Sequence, residues 1–528
     1  MTPRTGRIAS VRTASSTALA ISLAWALAYL PGLGSRGLAA SEGHRVLPAV
    51  EMLRSGDLAI PRLFGQIYLR KPPGMFWAIA ASMSVFGETE LAARLVSALA
   101  TLLGGLACAW FARRWYSGWE MSDARASVPV PRATPALAAG LAFVLMPMLW
   151  APGRNAEIEA LHNMFVLLAA LAVLDGAIMR NARARTSAMI ALLALFASAG
   201  AVLVKGPAGL PVIVAAAIAP ALARRSMRPL YRAQVLPPIL AGLALGAGTV
   251  LWCWARARAT GEPIVLQGVS EFLWSLPRVL ETLALPISAW AMALPMSIAL
   301  LFPLSPLASR DHFTRDESAP ARALAWTILL ALAVYLVLGV HNPRYTMPAM
   351  CLAPMLVPYV LLGRDRFMPL RARFATLCTL GSPAAIVGLL LVGAGVHIGV
   401  ETHRFRDRRD PAYTGRPAGL ALGDALARFA EQASDGKPLN IAADHAIEAR
   451  PEVLWYACRT LERAGIPVRA SWRPGLIGAH ASDRAGADVL LLRADAGSAE
   501  FRTLAPDADR EEFREIWRGR VHEFELVA

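Results

Sequence analysis

Lysine is nearly missing from this chain. Of its 53 Lys and Arg residues only Lys71, Lys205 and Lys437 are lysine, leaving fifty arginines. Charge of any kind is scarce, at 17% of 528 residues against 56% hydrophobic, and the mean hydropathy is +0.45. That balance excludes an ordinary soluble protein of this size. Cysteine is also sparse: Cys108, Cys253, Cys351, Cys378 and Cys458 are scattered, four of them in apolar runs, with no CxxC spacing. A disulfide framework and a thiolate metal site are thereby set aside. No internal repeat or low-complexity tract is evident.

What is present in quantity is long apolar runs. Residues 14–33, 236–255, 284–304 and 374–400 each match the roughly 20 residues a helix needs to cross hydrocarbon. The expectation is an all-α polytopic membrane protein. Its net charge of +15 reads as cytoplasmic loops rather than a nucleic-acid surface, and no nucleic-acid partner is expected. The arginine bias points to a GC-rich bacterial genome. The N-terminal "MTPRTGRIASVR" and the run after it are read as an uncleaved first helix, longer than a signal-peptide core.

Arginines cluster near residues 4–12, 113–132, 180–185, 224–232, 310–322 and 364–373. Placing all six clusters inside requires an even number of crossings between neighbours. Two apolar spans fill each later gap: 134–151 and 161–179, 187–204 and 208–223, 236–256 and 284–306, 323–340 and 346–362. A last span, 374–399, ends outside. The first gap holds three apolar pieces, and 74–87, short and preceded by Pro72-Pro73, is read as lying along the outer interface. About 11 crossings result, with the N-terminus cytoplasmic. The unusual polar loops all fall outside: 34–73, 152–160, the Lys205 corner, 257–283 and 341–345. Beyond residue 400 the pattern changes. "LNIAAD", "VRASW" and "ADVLLLRAD" look like strands and "PEVLWYACRTLERAGI" like a helix closed by Gly465. The chain therefore divides into a membrane domain, 1–400, and a small soluble α/β domain, 401–528.

Chemistry-bearing residues gather in the outer loops. The first carries Glu42 and His44, then "QIYLRKPPGMFW", with Tyr68 and Lys71 ahead of two prolines. An acid at a membrane boundary is a functional candidate by default, though a solvated loop acid is the plainer alternative. The second loop carries Arg154, Glu157, Glu159 and His162. Glu159 and His162 are i,i+3 neighbours, a spacing that can hold a metal, and His44 is a further candidate ligand. Hydrogen bonding at a helix end is the plainer role for His162. Lys205 in "LVKGPAG" stands at the end of a span before a tight turn, where a lysine often only snorkels to the interface. In "HNPRY", Arg344 has the geometry to hold a phosphate bidentately, with Tyr345 orienting it; helix capping or headgroup contact is the alternative. Arg256 and Arg258 are lesser candidates.

The ordered series "EML-SGD", "P-L-G--Y--KPP--FW", "FG--E-AARL", "GRNAEIEALHNMF", "LVKGPAGLPV" and "NPRYTMPAMCLAP" resembles the bacterial C-type glycosyltransferases. These are the family of the lipid A aminoarabinose transferase and the dolichyl-phosphate-mannose–protein mannosyltransferases. The resemblance covers residues 1–400. It implies the C-type fold and transfer of a sugar from a polyprenyl-phosphate carrier to a lipid A, protein or glycan acceptor. The reaction would occur at the periplasmic face of a bacterial inner membrane, with the C-terminal domain periplasmic. It further implies Glu42 and Glu159 as the catalytic carboxylates and inversion by a single displacement. Lys71, Lys205, Arg344, Tyr345 and Tyr68 would bind the donor phosphate. Two departures stand out: Ser41 occupies the first position of the family's Asp-Glu pair, and Arg70 replaces the Glu of a Glu-Lys-Pro-Pro sequence that lies near a metal. A divalent metal is the one cofactor in question. Two other classes stay open: a lipid or sugar transporter or flippase, which would place charges at mid-membrane and broken helices in repeated halves, and a silent relative that only binds a lipid-linked sugar.

Overall fold

The computed structural model describes residues 3–116, 134–179, 184–224, 236–265, 279–303, 318–362, 415–433, 438–443, 451–472, 489–493, 518–521 and 524–527. Contacts group the chain into two bodies. The first comprises Met1–Leu33, Arg94–Trp252 and Gly268–Ile398, and the second comprises Gly34–Ala93, Cys253–Gln267 and Gly399–Ala528.

Helices of the first body follow the apolar runs. Among the described residues five are long and apolar enough to cross a membrane: Glu90–Tyr116, Ile158–Ile178, Arg185–Arg224, Leu236–Ala259 and Ala319–Val337. The pair Pro135–Val144 and Pro147–Arg154, bent by 58°, is a broken span or a re-entrant loop. The chain is thus a mostly helical, multi-pass membrane protein. Proline explains where expected spans arrive in pieces. Pro147 removes an amide from the ladder at the bend. In the stretch 346–362, Pro348, Pro354 and Pro358 leave only the short turns Met347–Met350, Ala353–Leu356 and Val357–Leu362. The stretch 284–306 likewise gives Val279–Met292 and, past Pro295, the tight turn Met296–Leu301. The run Arg185–Arg224 is 40 residues long, twice what one crossing needs, and Gly206 interrupts it with φ +62°. The expected span 374–399 lies outside the described residues.

Ile158–Ile178 is the axis of this body, packed against Ala184–Lys205 and Leu210–Arg224, while Ala319–Val337 packs on Leu210–Arg224. Small side chains make the approach close, as at Ala169, Ala170, Ala172, Ala215, Ala216 and Ala325, all buried, in the manner of helices associating in lipid. At the far end of the axis Asp175 accepts from Arg114 Nε at 2.7 Å and Trp115 Nε1 at 2.8 Å, a charge satisfied inside the bundle. By contrast Leu236–Ala259 turns Leu240, Leu245, Leu251 and Trp252 outward, the lipid-facing pattern.

In the second body, Gly43–Ser55 packs on Gly74–Phe86. Between them strands β1 (Arg62–Leu63) and β2 (Gln66–Tyr68) form an antiparallel hairpin, and β2 pairs in parallel with β3 (Ile264–Val265). The C-terminal part is an α/β unit. Its five strands, β4 (Leu439–Ala443), β5 (Val468–Trp472), β6 (Val489–Arg493), β7 (Arg518–Val521) and β8 (Phe524–Val527), run in the order β5-β4-β6-β8-β7. The first three are parallel and the last two antiparallel additions. Helices Gly415–Ala433 and Pro451–Arg463 pack together, Gly419 and Gly423 lying directly against Val453, Tyr456, Ala457 and Thr460.

Candidate functional site

Three motifs of the first body meet around Lys205. Glu159 stands in the first turn of Ile158–Ile178, where the helix dipole favours an acid. Lys205 closes Ala184–Lys205. The left-handed Gly206 and Pro207 then turn the chain into the tight turn Gly206–Gly209, a conformation that suits glycine. Gly209 lets this corner lie on the neighbouring helix: a Cβ there would sit 2.3 Å from Val166 Cγ2 and 3.1 Å from His162 Nε2. Tyr335 fastens the same corner, its hydroxyl donating to Ala208 O at 2.8 Å. In the third motif Asn342 Oδ1 accepts from the Arg344 amide at 3.0 Å and starts the turn Pro343–Thr346, an Asx-type start.

Lys205 does not snorkel. Its side chain is 9% exposed, its Nζ lies 3.4 Å from Glu159 Oε1, and it sits 4.5 Å above the Tyr345 ring. A desolvated cation–π contact contributes about 2 kcal/mol, whereas a buried ion pair is weak evidence of stabilisation because desolvation offsets attraction. Such a pair is better explained by what it holds ready. Beside it, Arg344 NH2 lies 3.9 Å from Glu157 Oε1, with the arginine half-exposed and the glutamate buried. Glu157, a residue without a separate role in the motif, is therefore Arg344's partner. His162 is buried, and both its ring nitrogens lack a hydrogen-bond partner among the described residues. As to the candidate ligands Glu159, His162 and His44, among the described residues no group of three His, Cys, Asp or Glu side chains is placed to hold a metal.

Arg154 proves structural. It is buried and donates to Ala28 O, Tyr29 O and Pro31 O at 3.1, 3.0 and 2.6 Å, capping the C-terminal end of the helix Pro3–Tyr29 as a cation there should. Arg154→Leu is expected to reduce stability by about 2–4 kcal/mol, seen as a lower unfolding temperature in detergent. An unchanged unfolding temperature would contradict this.

In the second body the first loop is built by side chains that hold backbone. Glu42 is buried; its Oε2 accepts from the Ala39 amide at 2.9 Å and its Oε1 lies 4.0 Å from Arg36. The carboxylate thus first shapes its own turn. Helix Gly43–Ser55 stops at Gly56, φ +74°. Glu51 on that helix accepts from the amides of Phe64 and Gly65, both left-handed, so it secures the hairpin turn between β1 and β2. Burial pushes the Glu51 carboxyl above its usual range, partly offset by those two amides. Arg62 is paired with Glu262 at 2.8 Å, and that hydrogen bond holds Glu262 below the usual carboxylate range. Tyr68 is buried, stacked on His44 at 5.8 Å and tilted against Phe76 at 6.4 Å. Both rings therefore tie β2 to the flanking helices. Arg70 and Lys71 are half-buried, between β2 and the helix Gly74–Phe86 that starts at Pro73.

Comparison with known proteins agrees with this architecture. A family model described as dolichyl-phosphate-mannose-protein mannosyltransferase matches residues 70–128. An undecaprenyl phosphate-alpha-4-amino-4-deoxy-L-arabinose arabinosyl transferase of Pseudomonas aeruginosa is 28% identical over 409 residues, covering 76% of this chain and 67% of the relative. The enzyme of the same name from Edwardsiella ictaluri is 27% identical over 317 residues, 58% of this chain and 52% of its own. The crystal structure of ArnT from Cupriavidus metallidurans bound to undecaprenyl phosphate superposes with a TM-score of 0.64 at 16% identity, covering 96% of this chain and 97% of that one. The fold defines a polytopic membrane protein built like ArnT. Within that class, the chain is similar in sequence to the mannosyl and aminoarabinosyl transferases of the membrane.

Proposed function

We propose that this protein transfers a sugar, a pentose such as 4-amino-4-deoxy-L-arabinose, from an undecaprenyl-phosphate carrier to an acceptor at the periplasmic face of the bacterial inner membrane. The acceptor is lipid A, a protein or another glycan. The observation that carries this reading is Lys205, a cation kept out of water on Glu159 and the Tyr345 ring. As the glycosidic bond breaks, the leaving polyprenyl phosphate gains negative charge. Cations placed beforehand stabilise that state more than the ground state. Lys205 and Arg344 supply them, and Lys71 takes the same role by its place in the family's series.

Binding of the phosphate would draw Lys205 and Arg344 away from Glu159 and Glu157. The released Glu159 then serves the acceptor, as does Glu42, whose turn is already fixed. Tyr345 holds Lys205 through its ring, and Tyr68 is assigned to the donor phosphate by its place in the family's series. We assign inversion at the sugar carbon through one displacement. Arg70 stands where a carboxylate would be required, so no step is routed through a metal. The arginine pattern supports eleven crossings, an N-terminus in the cytoplasm and the C-terminal α/β unit as a soluble periplasmic domain. A transporter would show broken helices in repeated halves; one bent pair occurs among the described residues.

The test is the purified protein in proteoliposomes with radiolabelled undecaprenyl phosphate–4-amino-4-deoxy-L-arabinose and lipid A. Label moving to lipid A with release of undecaprenyl phosphate is the expected result. Label that stays on the carrier with lipid A, envelope protein and glycan acceptors alike would overturn the reading.

A further inference from the structure

The C-terminal α/β unit touches the first loop where the loop carries its acid. Tyr456, on the helix Pro451–Arg463, is 5% exposed, and its hydroxyl is used in both directions. It accepts from the Leu38 amide at 2.8 Å and donates to Glu90 Oε1 at 2.8 Å. The next amide along, Ala39, is the one held by Glu42 Oε2. Leu38, Ala39 and Glu42 are all buried, so water has little access to replace these bonds.

The approach is close at two more points. A Cβ on Gly37 would lie 2.5 Å from Arg416 Cβ, and one on Gly43 would lie 2.9 Å from Pro451 Cγ and 3.1 Å from the Glu452 amide. Charges close the rim. Arg54 donates to both Glu88 oxygens, at 3.1 and 2.8 Å, and to Glu462 at 3.0 Å. Arg459 NH1 reaches Glu88 O at 3.0 Å. Glycines at the two tightest points and a saturated hydroxyl one residue from the acid's own anchor describe a fitted brace.

We infer that the C-terminal unit braces the acidic turn of the first loop, and that Tyr456 is a positioning residue for Glu42. The catalytic half of this statement rests on the transfer reaction proposed above. Displacing a catalytic group by about 1 Å reduces rate by about 100-fold; removing one oxygen that holds its turn is expected to cost about tenfold.

Tyr456→Phe, in the full-length protein, keeps the ring packed and removes only the oxygen. Hydrogen exchange of the segment 34–45 and turnover with the labelled aminoarabinose donor and lipid A are then measured together. Faster exchange at Leu38, kcat about tenfold lower and donor KM unchanged are expected. Glu90→Gln, which still accepts from Tyr456, should stay within about twofold of wild type. Unchanged exchange in Tyr456→Phe would overturn the brace. Faster exchange with wild-type kcat would overturn the positioning role and leave the proposed transfer standing. A wild-type protein without turnover would sink the proposed transfer and the positioning role with it, while the exchange result would still decide on the brace.

Discussion

Lys205→Met is expected to lower turnover by at least about 100-fold, the scale set by removing one preplaced charge donor from a water-poor site. It should also destabilise the protein, because Glu159 is left buried without its cation, at about 3–5 kcal/mol. The stability effect is isolated in the double variant Lys205→Met with Glu159→Gln. Neutralising the acid should return the unfolding temperature close to wild type while turnover remains low. The geometry behind this is specific: Nζ is 3.4 Å from Glu159 and 4.5 Å from the centre of the Tyr345 ring. An arginine at 205 would bring a planar fork into a space shaped for a compact ammonium. If the double variant turns over at the wild-type rate, Lys205 is only a packing residue.

Lys71→Met is expected to lower turnover by about 100-fold, and Lys71→Arg to recover little of it. The backbone at this point is fixed on both sides. Upstream, Tyr68 is wedged between His44 and Phe76, and Tyr68 N is bonded to Pro61 O at 2.8 Å. Downstream, Pro73 begins a helix and its carbonyl accepts from Trp77 N at 2.9 Å. A side chain mounted this firmly delivers its charge to one place. Because Lys71 is half-buried, the exchange should leave the unfolding temperature within a few degrees, so turnover and stability measured together distinguish a functional role from a structural one. Wild-type rates for Lys71→Arg would remove the claim that an ammonium is required.

Much of the fold was legible because lipid imposes a simple rule on sequence. Runs such as 161–179 and 187–204 can satisfy their backbone only as helices, and they appear as Ile158–Ile178 and Ala184–Lys205. Spans rich in proline were harder to read, since hydropathy counts apolar side chains and not missing amides. Hence 346–362 arrives as several short turns. The candidate residues were legible as types but not as partners. Glu159, Lys205 and Tyr345 belong to three separate motifs, and their meeting depends on the Gly206 turn and the close approach at Gly209. Arg154 carried the same signal as Arg344 in sequence, a basic residue in a polar loop. Only three backbone carbonyls within reach reveal it as a cap. Glu51 and Tyr456 were silent because nothing local marks a side chain whose partners lie on a distant segment, 366 residues away in the pairing of Tyr456 with Glu90.

The phosphate-holding role of the Lys205 cluster is tested most directly by ligand-induced stabilisation. A ligand that binds only the folded state raises its stability by about 2.7 kcal/mol at a hundredfold excess over Kd. Unfolding of the wild type and of the Lys205→Met, Glu159→Gln double variant is followed with undecaprenyl phosphate and with undecaprenol, which lacks the phosphate. Undecaprenyl phosphate should raise the wild-type unfolding temperature well beyond the effect of undecaprenol, and the double variant should lose that difference. Equal stabilisation of the wild type by both lipids would contradict it.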